Sequence, residues 1–534
     1  MLFWMHLLLW ISWTLLISVD CAKILCLFPY NARSHFIVME PLLHALHQRG
    51  HNLTVVSSFP QQKRLENFRD VDLSVDLPSA VSSYTLDSIR EFMPNRFVTP
   101  IFIAKIHMDV CEKVLKDERI LNLLNEPFDL VIGEIFGADC FSYIAYKLGV
   151  PQIAWVTSAS LPWSSDRVGL PDNPSYIPNY FVDYPAEMNF WQRLYNSITL
   201  MWSKTVYHFY SDIPSHRLAE KVFNCSLPPM DEINRQTALI LLNSHYTLAQ
   251  SRPFPPNVVE VGGIHVREPK ALPEDIRRIL DDAKQGVILF SFGSLVRASS
   301  LPPRTIQMFL NVFRTLPQVV VFKYEDSLDN LPPNVVVRKW LPQSNIAAHP
   351  NVRAIITHCG LASTVESVHF AKPLIGVPFF SDQYQNAKNV ARRGAGIVLN
   401  IDNLREEDIA SALKAVLQDP SFAENMQKLS WKFHDRPMTP LQTAVYWTEY
   451  VIRHQGAPHL RPASVHLAWY QLLLLDIVVV LATTMSAVVV ALYCVVRTCT
   501  SLMRTTRKTA RIENGTKKEN GMKKPKARKT KKID

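Results

Sequence analysis

Residues 337–366 read VRKWLPQSNIAAHPNVRAIITHCGLASTVE. The apolar run RAIIT at residues 353–357 is typical of a buried strand, and His358 follows it directly. Ser363 and Thr364 then mark the start of a helix. The first N–H groups of a helix have no partner within it, and they favour an anion bound at that end of the helix. This turn therefore predicts an anion site at the carboxyl edge of a sheet, with His358 as a further donor.

Three other side chains in this stretch suit the remaining parts of a nucleotide. Trp340 offers a flat face for a base, Gln343 an amide for the edge of that base, and Glu366 a carboxylate for a ribose diol. For any one of them taken alone, an ordinary strand–helix turn with a core Trp is the better explanation. The set, together with the anion site and with Gly360 allowing close backbone approach, favours a nucleotide diphosphate.

The first half of the chain follows a strand–helix–strand plan. Residues 23–58 contain an apolar strand (KILCLFP), a loop (NARSHF), a helix closed by Gly50 (EPLLHALHQRG) and a second strand (NLTVVSS). FDLVIGEIFGADCFSYIAYKLGVPQIAWV repeats the plan, with a strand at Asp129–Ile132, a helix at Cys140–Leu148 and a strand from Pro151. Units of this kind build parallel sheets.

The second half repeats this architecture. A Pro-rich stretch at 251–285 predicts a linker, and strand-like runs recur beyond it: VILFSF, VVVFKY, NVVVRK, RAIIT, PLIGVP and GIVLN. We predict an α/β fold of two Rossmann-like, doubly wound parallel-sheet domains that face a cleft, since ligands bind at the carboxyl ends of such sheets. The less regular regions at about 60–110 and 157–235 are interpreted as insertions that shape an apolar cleft or rest on a membrane surface. No GxGxxG motif or phosphate-binding GxxxxGK[ST] loop is present, so a nicotinamide cofactor is unsupported.

The net charge of +10 belongs to the tail rather than to the folded body. Residues 497–534 contain 14 Lys and Arg against three acidic residues, which leaves a net charge of −1 on the other 496 residues. A nucleic-acid-binding domain is therefore not supported. The eight Cys residues are scattered singly, and the sequence does not pair them.

Both ends of the chain carry membrane signals. The apolar start predicts a signal peptide cleaved after Cys21 or Ala22, with an uncleaved anchor as the alternative. Residues 477–496 form an uncharged stretch long enough to span a bilayer, and the basic residues after it predict a type I protein with a cytosolic tail. The predicted segments are a signal peptide (1–22), an N-terminal domain (23–250), a linker (251–285), a C-terminal domain with return helices (286–456), a juxtamembrane segment (457–476), a transmembrane helix (477–496) and a basic tail (497–534).

The final residues KKID resemble the dilysine signal that retrieves membrane proteins to the endoplasmic reticulum, although they also fit a simple continuation of the basic tail. With a lumenal body, Asn224 and Asn52 fit the glycosylation pattern, and Asn52 falls in an apparent strand.

The motif WLPQ…THCGLASTVES…KPLIGVPFFSDQ resembles the signature of the UDP-glycosyltransferases, the family that includes the UDP-glucuronosyltransferases. The resemblance covers nearly the whole chain. It implies a GT-B fold with an N-terminal acceptor domain and a C-terminal donor domain, a UDP-sugar as co-substrate, no cofactor and no metal. It also implies which residues bind each part of the donor. These are Trp340 and Gln343 for uracil, His358, Gly360, Ser363, Gly293 and Ser294 for the diphosphate, Glu366 for the ribose, and Asp382 and Gln383 for the sugar.

Two positions depart from the family pattern. Cys359 stands where many members have Gly, and Ala362 stands where several have Asn.

The resemblance also implies that His35, in NARSHF, is the catalytic base. We expect a neighbouring helix N-terminus to disfavour the imidazolium form and so to keep this base free near pH 7. A base of this kind needs a carboxylate to orient it. Glu134 aligns with the family's Asp and is favoured, while Asp139 is the rival and is alternatively the cap of the following helix.

We therefore expect a membrane-bound UDP-glycosyltransferase that transfers glucose or glucuronic acid to small lipophilic acceptors with inversion, in detoxification-type conjugation. The main alternative is a catalytically silent membrane-anchored protein of the same fold that binds a UDP-sugar or a lipophile. An adhesion receptor fits less well, because such ectodomains show regular short strands. The sequence leaves the donor sugar, the acceptor and the oligomeric state open, a homo-oligomer included.

Overall fold

The computed structural model describes residues 21–170 and 172–520, with side chains to residue 512. The predicted signal peptide therefore lies almost wholly outside the described residues, and so does the terminal KKID. The chain divides into two compact units, one ending at Val465 and the other beginning at His466.

The first unit contains two parallel sheets, as predicted. The first sheet has the strand order β3-β2-β1-β4-β5-β6-β7, and the second has the order β10-β9-β8-β11-β12-β13. The strands are β1 (Lys23–Phe28), β2 (Asn52–Ser57), β3 (Phe68–Asp72), β4 (Leu130–Glu134), β5 (Gln152–Val156), β6 (Leu239–Leu242), β7 (Val258–Glu260), β8 (Val287–Ser291), β9 (Val319–Lys323), β10 (Val335–Arg338), β11 (Val352–Thr357), β12 (Leu374–Gly376) and β13 (Gly396–Val398).

Helices cover the faces of both sheets. Because both faces of the central strands are buried, these strands read as continuous apolar runs, as VILFS does in β8. The helices of the first unit are α1 (Arg33–Gln48), α2 (Leu86–Phe92), α3 (Thr99–Leu115), α4 (Glu118–Leu123), α5 (Ser142–Leu148), α6 (Phe190–Tyr207), α7 (Ile213–Phe223), α8 (Met230–Asn234), α9 (Tyr246–Ala249), α10 (Glu274–Asp282), α11 (Pro303–Arg314), α12 (Gln343–Ala347), α13 (Leu361–His369), α14 (Gln383–Arg392), α15 (Glu406–Gln418), α16 (Pro420–His434) and α17 (Pro440–Arg453).

Each sheet reverses its strand order at one point, between β1 and β4 in the first sheet and between β8 and β11 in the second. From such a pair of parallel strands, the chain continues to opposite sides of the sheet. A crevice therefore opens between the two strands at their carboxyl ends. The residues after these four strands are therefore the ones that the fold places in a crevice.

The sequence-based boundary of the first helix is wrong. The sequence predicts a loop at NARSHF and a helix over EPLLHALHQRG, which starts at Glu40. The helix instead begins at Arg33 and runs through Pro41, so His35 lies in its first turn. A Pro inside a helix lacks the N–H that would bond the carbonyl four residues earlier, and this helix tolerates that loss.

The regions predicted to be irregular contain regular helices. α2 and α3 lie in the first of them, and α6, α7 and α8 lie in the second. The stretch predicted to be a linker contains β7 and α10. Near the end of the first unit, α17 returns to the first sheet and buries Ala444, Val445 and Val451 in the same core as β1.

A short segment before α2 pairs with the loop that follows β8 of the second sheet. The backbone N–H of Ser82 donates to the carbonyl of Ser294 at 2.7 Å, and Tyr84 exchanges backbone hydrogen bonds with Leu295 and Arg297. Beyond this strap, defined here as Ser82–Tyr84, α2 buries Leu86 and Ile89 in the core of the second sheet. An element of the N-terminal half is therefore built into the C-terminal half.

Cys111 of α3 and Cys140 form a disulfide. The bond ties α3 to the segment that follows β4, and both residues are buried in one apolar cluster. Of the two predicted glycosylation sites, Asn224 is exposed just after α7, whereas Asn52 is half-buried at the start of β2.

The second unit contains α18 (Trp469–Leu472) and α19 (Leu475–Asn520). Within α19, the helix segment Leu475–Ile512 is long and apolar enough to cross a membrane, and an 18-residue window of it has a mean hydropathy of 2.4. This segment includes the predicted span at residues 477–496, and the helix continues beyond it.

Candidate active site

A cavity of about 740 Å³ lies where the carboxyl ends of the two sheets meet. Its lining includes every predicted catalytic and donor-binding residue except Glu134, which is buried directly behind His35, and Asp139. The fold accounts for part of this, since His35 follows β1, Gly293 follows β8 and His358 follows β11, at the points where the sheets reverse order. Trp340 and Gln343 instead follow β10, and Asp382 and Gln383 follow β12, at the same carboxyl edge of the second sheet.

His35 and Glu134 meet at the reversal point of the first sheet. Glu134 is the last residue of β4 and is fully buried, and its Oε1 lies 2.6 Å from His35 Nδ1. Thr157, directly after β5, donates from its hydroxyl to the same carboxylate oxygen at 2.8 Å. An ionised carboxylate only accepts, so Nδ1 carries the proton and Nε2 is left with its lone pair. Nε2 has no hydrogen-bond partner among the described residues.

The environment of His35 differs from the expectation that a helix N-terminus would disfavour its charged form. Burial is the largest influence and lowers the pKa, but the charge and hydrogen bond of Glu134, with a contribution from Asp382, outweigh it and raise the pKa above 6.5. A carboxylate at hydrogen-bond distance acts more strongly than the partial charge of a helix end.

Asp139 lies in a different ion pair. Its carboxylate contacts the guanidinium of Arg167, with both side chains 1% exposed, and it accepts a hydrogen bond from Asn234 at 2.8 Å. It does not cap α5, whose N-cap residue is Phe141. The structure thus brings Glu134, and not Asp139, to His35, and the longer Glu side chain reaches the ring directly.

His358 lies between two glycines at the reversal point of the second sheet. It follows β11, and a Cβ atom at Gly293 or Gly360 would lie 2.4 or 2.6 Å from its ring. These residues therefore have to be glycine for the ring to fit. Burial, helped by Lys323, lowers the pKa of His358 to about 4, so the ring is neutral. Beside it, α13 begins after Gly360 and directs its first N–H groups toward the cavity edge.

Gln343, Ser363 and Glu366 form a hydrogen-bonded group. The Gln343 amide donates to Ser363 Oγ at 2.8 Å and to Glu366 Oε2 at 2.6 Å. Burial raises the pKa of Glu366 to about 7. Trp340 is 57% exposed and presents its ring to the cavity, which suits a base.

Asp382 and Gln383 lie where α14 begins. Asp382 accepts a hydrogen bond from Asn386 at 2.9 Å, and burial raises its pKa to about 6. The Gln383 side-chain oxygen accepts from the backbone N–H of Phe379 at 2.8 Å. The charge of Asp382 acts on His35 across the cavity, so the predicted donor-binding residues and the predicted base face one space.

Two residues of this site were missed from the sequence. Lys323 ends β9, is 5% exposed, pairs with Glu325 at 2.8 Å and lies 5.9 Å from the centre of the Trp340 ring. Thr157 follows β5. Two sequence features could have indicated these residues. They are a Lys at the end of the apolar run VVVFK and a hydroxyl residue directly after a buried strand.

Cys359 has a backbone φ of +62°, a conformation that favours glycine. This accounts for the Gly expected at that position. The Cys side chain is accommodated in an apolar cluster between α13 and α14.

Comparison with known proteins agrees with this geometry. The family described as "UDP-glucoronosyl and UDP-glucosyl transferase" matches residues 22–512. UDP-glucosyltransferase 2 of Dactylopius coccus is 40% identical over 470 residues, which cover 87% of this chain and 91% of the relative. UDP-glucuronosyltransferase 1A8 of Homo sapiens is 30% identical over 464 residues, covering 83% of this chain and 86% of the relative.

Solved structures show the same fold at low identity. The calicheamicin glycosyltransferase CalG4 aligns with a TM-score of 0.53 at 19% identity, over 82% of this chain and 99% of that one. The spinosyn forosaminyltransferase SpnP aligns with a TM-score of 0.53 at 17% identity, over 81% and 100%.

Proposed function

The chain belongs to the family of UDP-glucuronosyl and UDP-glucosyl transferases, and on that premise we propose that it transfers a hexose from a UDP-sugar to small lipophilic hydroxyl compounds with inversion. The observation that carries this proposal is the contact between His35 and Glu134 at the cavity that also holds the donor residues. The hexose is glucose or glucuronic acid, the sugars that the names of its relatives contain.

The proposed reaction is a direct displacement. Nε2 of His35 takes the proton of the acceptor hydroxyl, while the oxygen of that hydroxyl bonds to the anomeric carbon of the sugar. The bond from that carbon to the phosphate oxygen breaks, and UDP leaves with the electron pair. Attack from the face opposite an α-linked UDP gives a β-glycoside. Glu134 stabilises the imidazolium that forms on His35.

The proposal needs no metal, because this chain has its own groups for the diphosphate charge. The first N–H groups of α13, the neutral His358 and the ammonium of Lys323 all lie at the cavity. Donors held in place at developing negative charge stabilise a leaving group. We expect UDP release to persist in EDTA.

The acceptor half of the cavity supports lipophilic substrates and a role in detoxification-type conjugation. Its wall is formed by one face of α3, with Phe102, Ile103, Ile106 and Val110, and by Phe136. Such a surface favours compounds with apolar rings.

We further propose that the protein is a single-pass type I protein of the endoplasmic reticulum with a lumenal body. The support is the apolar helix α19, the basic residues after it and the terminal KKID. The accessible Asn224 provides the test, since a lumenal body in this compartment would carry a glycan at Asn224 that endoglycosidase H removes.

UDP release tests the central proposal. Membranes carrying the protein would be given UDP-glucose and UDP-glucuronic acid in parallel with a panel of phenols. Release with one donor, lost in His35→Ala and kept in His44→Ala, is the expected result. His44 is the matched control, because it lies on the same helix but outside the cavity.

Two other results would contradict the proposal. Release that persists in His35→Ala would remove His35 from the mechanism. UDP binding without release from either donor would instead support the alternative of a silent binding protein of the same fold.

A further inference from the structure

One polar side chain interrupts the apolar wall of α3. The residues of this helix that line the cavity are Phe102, Ile103, Ile106, His107 and Val110, which lie on one helical face. His107 alone among these five is polar. A polar group in such a wall has an energetic cost unless it is hydrogen-bonded, so its partners matter.

The hydrogen bond of His107 fixes its tautomer. Nδ1 lies 2.6 Å from the backbone carbonyl of Ile103. A carbonyl only accepts, so Nδ1 carries the hydrogen and Nε2 carries the lone pair. Burial lowers the pKa of His107 to about 3, against the opposing effect of that hydrogen bond, so the ring stays neutral. Nε2 has no partner among the described residues, and the residue lines the cavity.

The ring is also held in one orientation. Tyr30 meets it edge to face with 4.1 Å between ring centres, and Phe136 lies against it at 5.2 Å. A Cβ atom at Gly137 would lie 2.3 Å from Nδ1, so only glycine admits the imidazole here. A fixed acceptor atom is suited to recognition, because little freedom is lost when a ligand binds.

His107 and the base share their neighbours. The same Tyr30 and Phe136 also contact the His35 ring, at 6.4 and 4.9 Å between centres. The positive charge of a protonated His35 acts on His107. A substrate whose hydroxyl reaches His35 therefore presents its adjoining part to His107.

We propose that Nε2 of His107 accepts a hydrogen bond from a second hydroxyl of the sugar acceptor, so that the enzyme prefers dihydroxylated aromatic compounds to their monohydroxylated counterparts. This inference rests on the proposed function and specifies its acceptor. The protein satisfies one nitrogen of His107, whereas the other has no partner among the described residues, and His107 lines the cavity.

The first test uses the unaltered enzyme. Phenol, the three dihydroxybenzenes and the three matching methoxyphenols would be compared by kcat/KM for UDP release. At least one dihydroxybenzene should exceed both phenol and its own methoxy counterpart about tenfold, the effect of one hydrogen bond. The methoxy group keeps size and apolarity but has no hydrogen to donate, and Nε2 has none either. Equal values for the hydroxy and methoxy compounds would overturn the proposal.

The second test uses two variants and a ratio measured within each. In His107→Phe, the preference for the best dihydroxybenzene over phenol should fall to about the factor of two expected from two equivalent hydroxyls. In His107→Gln, whose amide oxygen restores an acceptor, part of the preference should return. A preference that survives in His107→Phe would overturn the proposal. The ratio does not depend on how much folded enzyme each preparation contains.

The pH dependence of this preference is a further check. His107 is neutral across the working range, so the preference should stay constant from about pH 5 to 9 while kcat/KM itself changes with His35. A preference lost on acidification would contradict the proposal.

The outcomes separate the two proposals. Release with phenol but no preference refutes only the role of His107. No release with any acceptor refutes the transferase proposal, and equilibrium binding of the hydroxy and methoxy compounds then decides whether His107 recognises a hydroxyl.

Discussion

Glu134 sets both the orientation and the proton affinity of His35. Its contact with Nδ1 leaves Nε2 free for the acceptor, and its charge raises the pKa of the ring above 6.5. A base acts only when it is unprotonated, so kcat/KM should fall as the pH drops through this raised pKa.

Replacement of Glu134 by Gln should therefore have two effects. The maximal rate should fall about 10²-fold, because the imidazolium loses its counter-charge. The acid limb of the pH profile should move to lower pH, because burial then lowers the pKa of His35 with little opposition. Glu134→Asp, which keeps the charge, should keep the pKa raised. An acid limb that does not move in Glu134→Gln would show that another group controls His35.

Asp139→Asn is the contrasting change. It leaves Arg167 buried without its counter-charge, which costs about 3–5 kcal/mol. We expect the melting temperature in detergent to fall clearly, while the acid limb of the remaining activity stays in place. A shifted acid limb with normal stability would reverse the assignment of the two carboxylates.

At the scale of elements, the turn from β11 into α13 depends on the absence of side chains around His358. Gly360 has an ordinary φ of −56°, so its replacement by Ala adds steric conflict without backbone strain. We expect Gly360→Ala to weaken UDP binding about tenfold by calorimetry. Gly133→Ala is the control, because a Cβ there meets its nearest neighbour, the Gln152 amide, at an ordinary 3.6 Å. Equal affinities in the two variants would contradict this account.

Elements also show what the sequence could reveal. The predicted donor-binding residues from Trp340 to Glu366 lie within one short run of strand, turn and helix, so a local pattern predicts their grouping. The pairing of His35 with Glu134 joins residues 99 apart, and it was predicted from a resemblance rather than from spacing. The roles of Lys323 and His107 and the bond between Cys111 and Cys140 depend on how distant elements pack. No local pattern contains that information, and the prediction of a loop at NARSHF missed the first turn of α1.

At the scale of the whole molecule, the strap Ser82–Tyr84 and the helix after it make the two halves interdependent. Leu86 is 3% exposed in the core of the second sheet, and the strap pairs with the loop that carries Gly293 and Ser294. The C-terminal half is therefore incomplete without this piece of the N-terminal half.

Leu86→Ala tests this dependence. The cavity left in the core should lower the free energy of unfolding by about 2–5 kcal/mol. UDP binding should also weaken severalfold, although Leu86 lines no part of the cavity, because the strap positions the diphosphate loop. Val75→Ala, at a position 88% exposed, should change neither quantity. Normal UDP affinity in a destabilised Leu86→Ala would show that the halves are held together without being coupled.

The redox state of the compartment in which the protein is made decides whether the disulfide of its acceptor half forms. The Cys111–Cys140 bond joins residues 29 apart, worth about 3–4 kcal/mol by chain entropy, and it forms only where the surroundings are oxidising. It clamps the helix that carries His107 to the loop that carries Gly137, whereas the donor half keeps Cys359 as a free thiol. In a preparation from a bacterial cytosol this bond would be absent. We therefore expect such a preparation to bind UDP while the wall that carries His107 is poorly fixed. Acceptor selectivity, rather than UDP binding, is the proper quality control for recombinant material.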